Sequence, residues 1–206
     1  MKVRIREAGR RLLDPLALGL LALRITPNQI TMTGLVLSFA AGAALAGGRY
    51  LVAAGLLLAG SLCDVLDGSL ARRSGKSTRF GAFLDSTVDR YAEMALFLGL
   101  AVYFTRRTDS LYVAVVFVAT AGSLLVSYTR ARAEGLGLEC KVGLMERPER
   151  LALLILAAVV GPIGMKVALW ILATLTHFTA LQRVLHVRFL LSGGAGGPGD
   201  AGSREA

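Results

Sequence analysis

Residues 64–89 read DVLDGSLARRSGKSTRFGAFLDSTVD, and apolar runs flank this stretch on both sides. Upstream, residues 50–63 (YLVAAGLLLAGSLC) carry no charge, and downstream, residues 91–105 (YAEMALFLGLAVYFT) carry only Glu93. Two hydrophobic helices therefore meet at a short basic connection, with Asp64, Asp67, Asp85 and Asp89 at their shared end. Acids are rare in membrane spans, and those present usually mark a working site. Spacings of three and four put each pair on one helix face. A short connection predicts an antiparallel hairpin whose four carboxylates converge near the headgroup level.

The rest of the chain agrees with a membrane setting. Its 206 residues (21.7 kDa) are 54% hydrophobic and 18% charged, with a mean hydropathy of +0.60. Soluble proteins average roughly 45–50% apolar and 25% charged residues. The formal charge is nevertheless +9. Basic residues that punctuate apolar runs suit an anionic leaflet better than a nucleic acid, so no nucleic-acid partner is expected. Two cysteines, Cys63 and Cys140, are too few for a disulfide framework.

About 20 apolar residues cross a bilayer. The chain holds six such runs, near 28–47, 50–71, 81–104, 111–129, 149–165 and 167–187. The expected fold is an all-α integral membrane protein with one domain over 25–191. Residues 1–24 alternate Arg with Leu, Ile and Val and read as an amphipathic helix on the membrane surface. The Gly-rich tail, 192–206, reads as disordered. Six spans put 19 of the 23 Lys and Arg on one side, leaving Arg49, Arg106, Arg107 and Lys166 on the other. The positive-inside bias makes the first side, which also bears the acids, cytoplasmic. The protein is thus expected in the inner or plasma membrane as a multi-pass protein with its site facing the cytoplasm.

Four converging carboxylates repel one another unless a cation neutralises them. Hard divalent ions prefer oxygen ligands, and Mg²⁺ keeps waters and substrate phosphate in its shell. Two ions together favour displacement at phosphorus. Gly68 lets a ligand approach beside Asp67, Ala71 stays small one turn on, and Arg72 offers a bidentate phosphate donor. Gly81 allows close helix packing one turn before Asp85. The plainer alternative is intramembrane ion pairing with Arg72, Arg79 and Arg90. Glu93, one turn past Asp89, either supports a ligand or faces Arg90.

The string Asp64-x2-Asp67-Gly68-x2-Ala71-Arg72-x8-Gly81-x3-Asp85-x3-Asp89 resembles the complete motif of the CDP-alcohol phosphatidyltransferases. The resemblance extends over the chain except the tail. It implies that Asp64, Asp67 and Asp85 ligate two ions, Mg²⁺ or Mn²⁺, and that Asp89 is both ligand and general base. The acceptor hydroxyl would attack the lipid-proximal phosphorus of CDP-diacylglycerol and expel CMP. Thr26-Pro27-Asn28-Gln29-Ile30-Thr31 resembles the family's TPN-x-x-T entry to the first span. By that resemblance Asn28, Gln29, Ile30, Thr31, Gly68, Ala71, Arg72, Thr78 and Gly81 contact the CDP-lipid. Thr26 with Pro27, and Thr78, also read as ordinary helix starts. The family implies a homodimer.

Three further arginines bear on the acceptor. Arg130 closes the fourth span, Arg150 opens the fifth in Glu146-Arg147-Pro148-Glu149-Arg150, and Arg183 ends the sixth. All three fall at the mouth where the acids end, and several fixed guanidiniums match a phosphate dianion. Flanking positive residues are also ordinary topology. The SYTRARAE and ERPER strings are similar to those of the prokaryotic phosphatidylinositol phosphate synthases, which implies inositol 1-phosphate as acceptor. Arg130 stands where those proteins usually carry Lys, so glycerol 3-phosphate is a second expected acceptor. A cation transporter is the rival of another class, but it calls for acids near the midplane and repeated halves. His177 and His186 have no acid partner at catalytic spacing and read as packing residues. Trp170 reads as an interfacial anchor.

Overall fold

The computed structural model describes residues 26–73 and 78–193, with the side chains of 71–73 left aside. The expected surface helix, 1–24, and nearly all of the expected tail lie outside the described residues. Six helices make up the described chain: α1 (Pro27–Ala46), α2 (Tyr50–Arg73), α3 (Arg79–Arg106), α4 (Ser110–Glu134), α5 (Arg147–Val160) and α6 (Pro162–Gly193).

Local chemistry sets their ends. Thr26 caps α1 in a reciprocal box with Gln29, and Pro27 follows in the first turn. Thr78 caps α3 by accepting from the Gly81 amide at 2.9 Å. Asp109 caps α4 through the Tyr112 amide. Both threonine starts agree with the plain helix-cap reading of the sequence.

Four helices are long and apolar enough to cross a membrane: α1, α2, α4 and α6. Large apolar side chains also cover the outside of the bundle. Leu51, Phe117, Ile163 and Phe189 are each more than two-thirds exposed. In water such a surface would associate; in a bilayer it meets its solvent. The protein is a multi-pass membrane protein.

Two expectations are corrected. The fifth span was expected to run to 165 and the sixth to begin at 167, but α5 ends at Val160 and α6 begins at Pro162. Gly161 between them adopts φ +95°, a left-handed backbone that favours glycine, and the following proline starts the next helix. The segment 135–146 also folds back before α5 begins. Cys140 and Met145 are buried, and the Met145 amide donates to Thr179 Oγ1 at 3.1 Å. That leaves α5 only 14 residues long.

The second correction concerns the hairpin. Helices α2 and α3 are consecutive, yet among the described residues they do not form a packed pair. Helix α1 packs on both of them, α3 packs on α4, α4 on α6, α6 on α5, and α5 on α2. The six helices therefore close into a ring. The α1–α3 contact is tight because both sides are glycine. A Cβ on Gly42 would lie 2.3 Å from the Ala95 carbonyl oxygen, and one on Gly99 would lie 2.1 Å from that of Gly42. Gly81 was expected to make this kind of contact, but among the described residues its hypothetical Cβ would meet only Thr78 Oγ1. Leu45, Leu96, Leu100, Phe104, Leu154, Leu169 and Leu172 fill the core. The separation of α2 from α3 opens one end of the ring, and the acids lie there.

Candidate active site

Asp64 and Asp67 occupy the last turns of α2. Asp67 is 6% exposed and accepts a hydrogen bond from Thr31 Oγ1 at 2.7 Å. Ile30, one residue earlier, packs with Leu66 and Leu70 and seats α1 against α2 at this level. The Thr31 hydroxyl thus orients a carboxylate that would otherwise be buried with an unused lone pair. Gly34 continues the contact, since a Cβ there would come within 3.8 Å of Asp64 Oδ1.

On α3, Asp85 is open to solvent and Asp89 lies one turn deeper, its side chain 13% exposed. Arg90 stands 3.6 Å from Asp89 Oδ2 and donates to the Ser86 carbonyl oxygen at 2.6 Å. The third wall is α5. Its first residue, Arg147, reaches both acidic helices: Nη1 lies 2.5 Å from Asp64 Oδ2, and Nη2 lies 2.7 Å from Asp89 Oδ1. One guanidinium therefore bridges the faces that α1 holds apart.

The donor set fits a divalent cation. It consists of carboxylate oxygens, and a positively charged side chain already stands between two of them. With the guanidinium in that place, no three Asp, Glu, His or Cys groups among the described residues are drawn close enough to hold one ion.

A cleft of about 1050 Å³ opens beside the acids. Asp85 and Asp89 line it together with Arg130, Arg147, Arg150 and Arg183. The structure thus brings the three predicted arginines to the acids, although it also gives each a carboxylate partner. Arg130 donates to Glu134 at 2.8 Å. Arg150, 1% exposed, forms a fork with Glu93 at 2.6 and 2.8 Å and donates to the Met145 carbonyl oxygen. Arg183, 2% exposed, holds the Val142 and Val126 carbonyl oxygens and Glu146. A guanidinium has five N–H donors, so donors beyond these bonds can serve a ligand.

Glu93, expected to support a ligand or face Arg90, instead clamps Arg150. Sequence reasoning also passed over Arg147 as one of many flanking arginines. Its one local signal was its position as the first helical residue of α5, directly before a proline.

Asn28, Gln29 and Ile30 line a groove with apolar walls between α1 and α2, shared with Met32, Thr33, Val36, Cys63 and Leu66. Thr31 faces away from that groove, towards Asp67. Gly68 stands one residue beyond Asp67. Ala71 and Arg72 belong to α2, but their side chains lie outside the described residues.

With this geometry in hand, comparison with known proteins is direct. Residues 24–187 match the model of the CDP-alcohol phosphatidyltransferase family. The chain is 40% identical over 187 residues to the archaetidylinositol phosphate synthase of Methanothermobacter thermautotrophicus, covering 88% of this chain and 91% of that protein. Its structure is similar to that of the Mycobacterium tuberculosis phosphatidylinositol phosphate synthase with CDP-DAG bound (TM-score 0.80, 35% identity, 86% of this chain and 94% of that one). The same enzyme in complex with manganese and citrate gives a TM-score of 0.79 at 35% identity, over 84% and 88% of the two chains. The chain belongs to the CDP-alcohol phosphatidyltransferases and is an enzyme of that class.

Proposed function

We propose that this enzyme transfers a phosphatidyl-type lipid phosphate from a CDP-linked lipid to inositol phosphate, releasing CMP. The observation that carries this reading is the cleft that sets Asp85 and Asp89 against Arg130, Arg150 and Arg183. A metal-type acidic wall facing a guanidinium wall suits a reaction between two phosphate-bearing substrates. The names of the relatives supply the acceptor. They pair two lipids, archaetidyl and phosphatidyl, with one head group, inositol phosphate.

Asp64, Asp67, Asp85 and Asp89 would hold two divalent ions, Mg²⁺ or Mn²⁺. When bound, such ions supply charge neutralisation for the diphosphate. Thr31 fixes Asp67, and Thr78 caps the first turn of α3, one turn before Asp85. Asp89 takes the proton of the acceptor hydroxyl. The acceptor oxygen then bonds to the lipid-proximal phosphorus as the bond to the CMP oxygen breaks. Arg130, Arg150 and Arg183 hold the acceptor's phosphate, which requires each to share its donors between the ligand and its carboxylate. The groove at Asn28, Gln29 and Ile30 has apolar walls, so lipid chains can stay in the bilayer. Helices α3 and α5 complete six crossings, and the acidic end faces the cytoplasm, in line with the 19-to-4 distribution of Lys and Arg.

Purified enzyme with CDP-diacylglycerol and Mn²⁺ tests this reading, with inositol 1-phosphate, glycerol 3-phosphate and free inositol offered separately. The expected product is an inositol phosphate lipid, with little turnover of the other two. Preferential turnover of glycerol 3-phosphate would overturn the acceptor assignment.

A further inference from the structure

Arg147 is the cleft guanidinium that joins two of the four aspartates, whereas Arg90, also in the cleft, lies 3.6 Å from Asp89 alone. Arg130, Arg150 and Arg183 are partnered by Glu134, Glu93 and Glu146, none of which belongs to the four-aspartate motif. Arg147 is partnered by Asp64 and Asp89, which do. Its side chain also borders two spaces at once. One is a narrow recess beneath the acids, lined by Gly34, Ser38, Gly60 and Ser61; the other is the wide cleft that holds the other arginines.

We infer that Arg147 is a tethered counter-cation that competes with divalent metal for Asp64 and Asp89, and that metal entry releases it into the acceptor cleft. This inference rests on the metal reading of the four aspartates. A guanidinium and a divalent ion held by the same two carboxylates repel each other at close range, so each weakens the binding of the other. The divalent ion has twice the charge and binds oxygen at about 2.0–2.1 Å for Mg²⁺. It therefore wins when present, and the guanidinium must go elsewhere.

The backbone allows this without moving. Pro148 restricts the start of α5. On either side, Glu146 is bonded to Arg183 and Arg150 is bonded to Glu93. The neighbours are pinned, and the long side chain between them is free to turn. Released into the wide cleft, it adds an arginine without a glutamate of its own to the phosphate-binding wall. Metal binding and acceptor binding are then coupled, and such coupling is reciprocal.

Mn²⁺ titration followed by electron paramagnetic resonance tests this on detergent-purified wild type, Arg147→Met, Arg147→Lys and Asp67→Asn, without lipid or acceptor. Removing the competitor should tighten Mn²⁺ binding by about tenfold or more, as close charge pairs couple by 1.5 kcal/mol upwards. Arg147→Lys, with a single prong, should fall between the two. Mn²⁺ should also raise the melting temperature of Arg147→Met more than that of wild type, because the ion replaces a lost counter-charge. This readout needs only protein that folds with the metal present.

Unchanged or weaker Mn²⁺ binding in Arg147→Met, while Asp67→Asn abolishes it, would overturn the competition and leave the metal site standing. Mn²⁺ binding indifferent to Asp67→Asn would overturn the metal reading and this inference with it.

Discussion

Where α3 gives way to α4, Lys166 donates to Asp109 at 2.9 Å and lies 4.3 Å from the centre of the Tyr112 ring. Arg107 covers Tyr103 at 4.4 Å, and Tyr50, Tyr103, Phe104 and Tyr112 stack edge to face or in parallel beneath them. Two cations and aromatic rings close that end of the ring with ordinary cation–π and ion-pair contacts. At the opposite end α2 and α3 are kept apart by α1. Asp64 and Asp89 share one guanidinium, and the cleft beside them is lined by five arginines. The same kinds of charge are present at both ends. What differs is the sharing: one guanidinium bridges Asp64 and Asp89, with Arg90 beside Asp89, and acids held by a shared cation are poised to accept others.

That contrast can be broken by substitution. Asp89→Asn should have the largest effect, lowering CMP release by about 10³-fold while the protein still folds, as expected for loss of a general base. Retained turnover would remove Asp89 from the chemistry. Glu93→Gln comes next, since it leaves the buried Arg150 without its fork. Breaking a buried pair costs about 3–5 kcal/mol, and thermal unfolding should record a marked fall in stability. Thr31→Val removes the hydroxyl from buried Asp67 and should cost about 1–3 kcal/mol. A matching rise in the Mn²⁺ concentration needed for half-maximal turnover would show that the bond orients a ligand.

Lys166→Met, at the closed end, should do least and leave CMP release at the wild-type rate. Lys166 holds the Asp109 carboxyl below the usual carboxylate range, chiefly through their hydrogen bond. A depressed carboxyl contributes stability above its unfolded value, about pH 4, and loses it as pH falls further. The variant and wild type should therefore differ at neutral pH and converge in strong acid. A loss of activity in this variant would mean that the two ends are not independent.

Much of the acidic end was legible because its signals are local. Hydropathy places the spans, three- and four-residue spacing places the aspartates on helix faces, and Thr26 and Thr78 stand where helix caps belong. What escaped depends on partners distant in sequence. Nothing near Arg147 says that it will bridge two helices 83 and 58 positions away in the chain. Nothing near Glu93 names Arg150. The insertion of α1 between α2 and α3 rests on Gly42 meeting Gly99, two unremarked glycines in apolar runs. The end of α5 is a different case: Gly161-Pro162 is a plain stop-and-start signal, but the hydropathy run continues across it and masks the break.

The central claim is that the shared acids of the open end form a divalent metal centre. Crystals grown with Mn²⁺ and measured for its anomalous scattering test it most directly. The account predicts density among Asp64, Asp67, Asp85 and Asp89, with the Arg147 guanidinium displaced from Asp64. Density at some other place, with Arg147 still bridging Asp64 and Asp89, would contradict it.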